Sequence, residues 1–372
     1  MKVAMISRSS LFASKGGDTI QIVQTARHLR EMNVDVDIRL SSEKINQEEY
    51  DLLHFFNLTR PADILPHIKK SKIPFVVTPL LIDYSEFDKH YRKGIAGKIF
   101  QHLSPGQIEY FKMIARIAKR QETSISFSYF LSGHSKSMKT VIEKAAMLLP
   151  NSQMEYDNLL PFFTSVPSFA IIPNGIDDQL FTAEVNKQKD PNFILCVARI
   201  EGLKNQINLI SALNHSKYQL YLIGSSAVNQ NDYYLKCKKI AASNIHFIDH
   251  LPQEELIRYY RKAKVHVLPS WFETCGLSTL EAAAMGCNVV ITNRGYASEY
   301  YDGHAFYCDP SSPDSIFEAI EKASNQEEDK FFQKKIFADY TWRNAARKTY
   351  NAYQKIIKNE TKNSNNRLPR NS

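Results

Sequence analysis

Long apolar runs are missing from this 372-residue chain. None reaches the roughly 18 residues of a membrane-spanning helix, which excludes an integral helical membrane protein. Cysteine is scarce, with Cys196, Cys237, Cys275, Cys287 and Cys308 widely spaced, odd in number and without a C-x-x-C pair. That pattern argues against a disulfide frame or a zinc site and for reduced thiols that pack. The opening Met-Lys-Val-Ala-Met-Ile-Ser-Arg passes into a strand without an apolar core or small-residue cleavage site. The expectation is therefore a cytoplasmic protein.

What is present is the composition of a packed globular protein. The hydrophobic fraction is 43%, and the length exceeds one ordinary core, so two domains are expected. The formal charge of +8 is uneven: between Lys89 and Lys144 stand eleven lysines and arginines against three acids. Lys112, Arg116, Lys119 and Arg120 recur at helical spacing among Phe111, Met113, Ile114 and Ile117. Two readings stand side by side, a solvated helix face and peripheral contact of residues 89–144 with an anionic membrane or phosphorylated lipid at the inner face of the cell membrane. No nucleic-acid motif accompanies the charge, so no nucleic-acid partner is expected.

Strand-like and helix-like segments alternate. Strands are predicted at Lys2–Ile6, Val34–Leu40, Asp51–Phe56, Pro74–Thr78 and Ala146–Leu149, and again at Phe193–Ala198, Gln219–Ile223, Ile245–Ile248, Val265–Leu268 and Asn288–Ile291, with a first helix over Thr19–Met32. Strands separated by helices imply parallel β-α-β units, hence two doubly wound α/β domains in tandem. The expected division is 1–180 and 190–340, then a long helix over 341–358 and a disordered polar tail over 359–372.

Several loops at strand carboxyl ends carry candidate chemistry, since open parallel sheets place their working loops there. Glu273 lies between a strand and the helix opening after Gly276, and Glu281 lies about one turn into that helix. The amides of Gly276, Leu277 and Ser278 suit an anion, and the two carboxylates suit hydroxyls; the plainer reading is an acidic first turn that stabilises its helix. Arg199 and Lys204 follow the first strand of the second domain and are placed to neutralise a diphosphate leaving group. Gly16 and Gly17 end the loop after the first strand, where backbone can approach a phosphate or sugar. Asp35 and Asp37 spell a D-x-D metal motif, but inside a strand both acids share one face, so they read as surface residues and no metal site is assigned.

Taken together these marks resemble the retaining glycosyltransferases of family 4, with the GT-B fold. The resemblance spans nearly the whole chain: Gly16-Gly17, Pro150-Asn-Ser152, Ile172-Pro-Asn-Gly-Ile-Asp177, Arg199 with Lys204, Gly224, the run from Pro269 through Glu273, Gly276, Leu277, Glu281 and Gly286, and the closing Tyr340-Thr-Trp342 with Tyr350. It implies two Rossmann-like doubly wound domains facing a central cleft, an acceptor-side first domain, a nucleotide-sugar-binding second one, and a C-terminal helix crossing back to the first. Arg199 and Lys204 would hold the donor pyrophosphate, Glu273 the transferred sugar and Glu281 the ribose; Gly276 and Leu277 would add amides, and Gly16, Gly17 and Gly224 would border the donor. Many members carry a histidine after the strand that here ends at Thr78, yet Thr78-Pro-Leu-Leu-Ile-Asp83 has none. His54 and His134, the nearest by position, read as packing or surface residues, and no general base is assigned.

The implied activity is metal-independent retaining transfer of a hexosyl-type sugar from a nucleotide-sugar donor, with no cofactor, to a saccharide or lipid-linked saccharide in surface polysaccharide (capsule, O-antigen or exopolysaccharide) synthesis. A sugar-nucleotide epimerase or hydrolase on the same scaffold, and a non-catalytic assembly subunit, are the competing readings. Leu80 to Phe100 contain no readable code for the acceptor.

Overall fold

The computed structural model describes residues 1–69, 71–92, 95–118, 127–165, 167–182 and 189–367. They divide into two compact units, one of residues 1–81, 88–174 and 342–372 and one of residues 82–87 and 175–341. The fold is α/β, with one Rossmann-like parallel sheet in each unit.

In the first unit, β1 (Lys2–Ser7), β2 (Asp35–Leu40), β3 (Leu52–Phe56), β4 (Phe75–Thr78) and β5 (Met147–Leu148) pair in the order β2-β1-β3-β4-β5, all parallel. Every residue of β3 and β4 is buried, as strands covered on both faces require. The helix Gly17–Glu31 returns the chain from β1 to β2 and buries Ile22, Ala26 and Leu29, spaced at four and three residues along one face.

The final helix, Trp342–Arg367, belongs to this unit, packs against Gly17–Glu31 and buries Trp342, Ala346, Tyr353 and Ile356. It outruns the expected end at Lys358 and occupies most of the segment expected to be a disordered tail. The cause is local: Asn359 to Arg367 contains neither glycine nor proline, and the first breaker is Pro369.

In the second unit, β6 (Asp190–Val197), β7 (Gln219–Ile223), β8 (Ile245–Ile248), β9 (Ala263–Leu268), β10 (Asn288–Thr292) and β11 (Phe306–Cys308) form a parallel sheet in the order β11-β10-β9-β6-β7-β8. Side chains alternate between two cores: Phe193 and Leu195 enter one with Val289 and Ile291, while Ile194 and Cys196 enter the other with Val265 and Val267. The strand β11 was not foreseen, because three residues are too few to show a period.

The expected limit of the first domain at residue 180 also moves, since the second unit begins at Gly175. Ile176 donates its amide to the Tyr340 carbonyl at 2.9 Å, and Phe181 is fully buried in the second unit's core.

Residues set aside as structural have structural partners. The Tyr50 hydroxyl donates to Asp37 Oδ2 at 2.8 Å, and Asp35 is exposed. His54 lies buried between Tyr353 Oη (2.6 Å) and Thr78 Oγ1 (2.8 Å), and burial lowers its pKa to about 3. His134 is buried beside Tyr129 Oη at 3.2 Å, and burial lowers its pKa as well. On the basic helix Pro105–Ala118, Lys112 pairs with Asp88 and Glu109, and Arg116 with Glu109. Lys119 and Arg120 lie outside the described residues. Among the described residues, no helix is long and apolar enough to cross a membrane.

Candidate functional site

The strands β6, β9 and β11 deliver their following loops to one place. Asn205, in left-handed backbone at φ 60°, donates through Nδ2 to the Pro269 carbonyl at 3.1 Å and the Pro310 carbonyl at 2.7 Å. The Trp271 amide adds a bond to the Leu203 carbonyl at 3.0 Å. These ties fix the loop holding Arg199 and Lys204 against the loop holding Glu273.

Arg199 is half exposed, and its guanidinium donates to Glu201 Oε1 at 2.9 Å. Gly224 explains how the backbone there is set: a Cβ at this position would stand 2.1 Å from the Ala198 carbonyl oxygen. With φ at +148°, Gly224 lets β7 end directly against the peptide that leads into Arg199. Its place in the site is thus close backbone approach.

Lys204 and Glu273 form a direct ion pair. The Ser270 hydroxyl donates to the same carboxylate oxygen at 2.7 Å. Burial works against the Lys204 charge, but Glu273, Tyr84 and Glu201 around it outweigh that effect and hold its pKa above the ordinary lysine value. A permanent cation therefore stands at the carboxyl end of the sheet.

The backbone of Glu273 is clasped from the loop after β10. Its amide donates to the Arg294 carbonyl at 3.2 Å, and its carbonyl accepts from the Tyr296 amide at 2.8 Å. Between these two bonds sits Gly295, where a Cβ would lie 2.2 Å from the Glu273 carbonyl oxygen.

Glu281 is buried. On the helix Leu277–Ala284 it accepts from Gln253 Nε2 at 2.6 Å and from Tyr260 Oη at 3.0 Å, both on the helix Gln253–Lys262. Burial raises its pKa from 4.5 to about 7, against those two hydrogen bonds, which favour the charged form.

The folded value exceeds the unfolded one, so the stability from its protonated form is complete below about pH 4.5 and is lost as pH rises through about 7. Glu281→Gln removes that dependence. Relative to wild type, the ligand-free variant is expected to gain stability between about pH 5 and pH 8, by up to about 3 kcal/mol. Melting temperatures across that range check it; parallel curves for the two proteins would count against a raised Glu281.

At the opening of the helix Leu277–Ala284, the amides of Thr279 and Leu280 already bond the Gly276 carbonyl at 2.9 and 3.0 Å. The Leu277 and Ser278 amides precede any intrahelical acceptor and are the donors an anion would meet. Ser278 Oγ donates to the Val197 carbonyl at 2.7 Å, fixing this helix end beside β6.

Gly16 and Gly17 belong to the first unit, where Gly16 caps the helix Gly17–Glu31 and its amide donates to Thr19 Oγ1 at 3.1 Å. Arg8 braces their loop, with Nε 2.6 Å from Asp18 Oδ2 and Nη2 2.7 Å from the Ser14 carbonyl.

The structure thus joins Lys204 directly to Glu273, sets Gly224 behind Arg199, and gives Glu281 partners of its own. Sequence reasoning missed Ser270, Gln253, Tyr260, Arg294, Gly295 and the segment Ile82–Phe87, which belongs to this second unit. A signal for Ser270 was available, since it stands three residues before Glu273. The others come from distant parts of the chain.

Comparison with known proteins follows the same division. Residues 177–336 match the family Glycosyl transferases group 1. The D-inositol 3-phosphate glycosyltransferase of Corynebacterium diphtheriae is 22% identical over 408 aligned positions, covering 95% of this chain and 94% of that protein. An uncharacterized glycosyltransferase of Methanocaldococcus jannaschii is 25% identical over 185 positions, 47% of each chain. The match spans about half the length of the first curated relatives.

Among solved structures, sucrose-phosphate synthase from Thermosynechococcus elongatus superposes with a TM-score of 0.73 at 16% identity, over 96% of this chain and 99% of that one. Anabaena HepE in complex with UDP and glucose gives 0.66 at 13%, over 95% and 99%. At such identities the likeness establishes the fold. The chain thus shares the two-sheet α/β fold of these glycosyltransferase structures, and residues 177–336 of its second unit match the glycosyl transferases group 1 family.

Proposed function

We propose that this protein is a nucleotide-sugar-dependent glycosyltransferase. The observation that carries the reading is the Lys204–Glu273 pair, held at the strand ends beside the Leu277–Ala284 helix opening and inside the group 1 domain. Lys204, with Arg199, binds the donor diphosphate and stabilises its charge as the glycosidic bond breaks. Glu273 and Glu281 accept hydrogen bonds from hydroxyls, the first from the transferred sugar and the second from the ribose. Leu277 and Ser278 amides face the phosphates.

Transfer of a hexosyl-type sugar is retaining and needs no metal, and the acceptor is a saccharide or lipid-linked saccharide of a surface polysaccharide. The enzyme works in the cytoplasm. Its contact with anionic membrane rests on exposed Phe111, Ile114, Phe130 and Leu131 together with the basic charge of 89–144. Equal sedimentation with neutral and anionic vesicles would remove that part.

A panel of nucleotide sugars tests the donor by thermal shift, since a ligand of the folded state raises the melting temperature. UDP-glucose comes first, because the HepE structure holds UDP and glucose. Product analysis with and without acceptor then separates the classes. Free or isomerised sugar as the main product in the presence of acceptor would favour the hydrolase or epimerase reading over transfer.

A further inference from the structure

The hexapeptide Ile82–Phe87 is flanked in sequence by residues of the first unit, yet it belongs to the second. Three of its side chains engage the candidate site. Tyr84 meets Phe272 edge-on with ring centroids 6.2 Å apart, and Phe87 lies 6.1 Å from Trp271. Glu86 pairs with Arg294, which also reaches Asp309 at 3.2 Å. These partners bracket Glu273: Trp271 and Phe272 precede it, and the Arg294 carbonyl accepts its amide.

The Tyr84 phenol lies within the field of Lys204, Glu273, Glu201 and Arg199, the four charges of the two site loops. Burial, the largest influence, raises its pKa to about 12, so the group keeps its proton and can donate. Among the described residues its hydroxyl has no hydrogen-bond partner. A phenylalanine would pack against Phe272 equally well, so aromatic packing leaves the hydroxyl unexplained. The hydroxyl is therefore open to an acceptor that a ligand brings in place of solvent.

We infer that Tyr84 is a donor-binding residue: its hydroxyl bonds the diphosphate-sugar end of a nucleotide sugar held by Lys204 and Glu273, and the Glu86–Arg294 ion pair keeps the segment in place for it. The inference rests on the nucleotide-sugar reading and gives that site a wall from a remote part of the chain. The phenol donates to an oxygen of the β-phosphate or to a hydroxyl of the transferred sugar, and its neutrality avoids repulsion with the diphosphate.

The test compares two ligands by calorimetry: whichever of UDP-glucose, UDP-galactose, UDP-N-acetylglucosamine and GDP-mannose the wild type binds, and the matching UMP or GMP, which ends short of the proposed contact. Tyr84→Phe is expected to weaken the nucleotide sugar about tenfold and leave the monophosphate unchanged, the size of one lost hydrogen bond to a charged or strongly polar partner. Glu86→Gln should act in the same direction by a smaller factor. Melting temperatures near wild type establish that both variants fold.

Unchanged nucleotide-sugar binding in Tyr84→Phe, or an equal loss for the monophosphate, would overturn the inference while wild-type binding keeps the transferase reading. Absence of wild-type binding to every nucleotide sugar would take down both.

Discussion

Lys204→Ala is expected to slow sugar transfer by about two to three orders of magnitude, the usual consequence of removing a group that stabilises charge developing in the transition state. Lys204 is a fixed cation because its neighbours overcome the opposition of burial. The departing diphosphate gains negative charge as the glycosidic bond lengthens, so the lysine's attraction strengthens along the reaction. The loss should therefore fall on kcat as well as on donor binding.

The variant also frees the Glu273 carboxylate, leaving it the Ser270 hydroxyl. A carboxylate stripped of its cation repels the donor phosphates, so Lys204→Ala exceeds the effect of Arg199→Ala, whose guanidinium is half exposed and paired with Glu201. Steady-state rates for the two single variants and the double variant measure this. A double variant that keeps wild-type turnover would refute the placement of the diphosphate.

Gly295→Ala is the second large effect, and it acts without touching a charged group. The added Cβ would meet the Glu273 carbonyl oxygen at 2.2 Å and its carbonyl carbon and amide nitrogen at 2.9 Å. All three are backbone atoms, so no rotamer change relieves the overlap, and the Glu273 peptide must move. Both backbone bonds that clasp it, to Arg294 and Tyr296, are then compromised.

The expected outcome is a stability loss of about 3 kcal/mol or more, with activity falling toward that of Glu273→Ala. Gly303 supplies the control, because its φ of 72° is positive like the 94° of Gly295 but a Cβ there would have nothing within 4 Å. Gly303→Ala carries only the backbone strain, about 1 kcal/mol. Denaturant unfolding of the two variants separates the contributions. Equal losses would mean that the approach to Glu273 is not what requires glycine.

Much of the second unit could be read from the residues because its information is local. Period-two alternation in Phe193–Val197 and the apolar runs at β9 and β10 specify buried strands. The rule that working loops follow parallel strands then predicts that Lys204 and Glu273 approach each other. What stayed hidden is carried by pairs distant in the chain. Tyr84 lies far from Phe272 in sequence, and no local pattern marks a tyrosine whose hydroxyl lacks a partner.

The partners of Glu281 were equally hidden, since Gln253 and Tyr260, which donate to its carboxylate, lie on another helix. Glu155 gave no signal either. This buried carboxylate accepts from the Leu81 amide at 2.7 Å and the Asn151 amide at 2.5 Å, joining the chain after β4 to the chain after β5. Satisfaction by backbone amides has no sequence signature, since any residue can supply one.

The five cysteines have a practical use at the bench. All are buried and unpaired, and burial pushes Cys196, Cys237 and Cys308 up to about 12. Thiolates are the species that react with maleimides and peroxides, so the native chain presents almost no nucleophilic sulfur to such reagents. A single cysteine introduced at an exposed position such as Leu131 would become the preferred attachment point for a fluorophore or spin label, with the native thiols left in place.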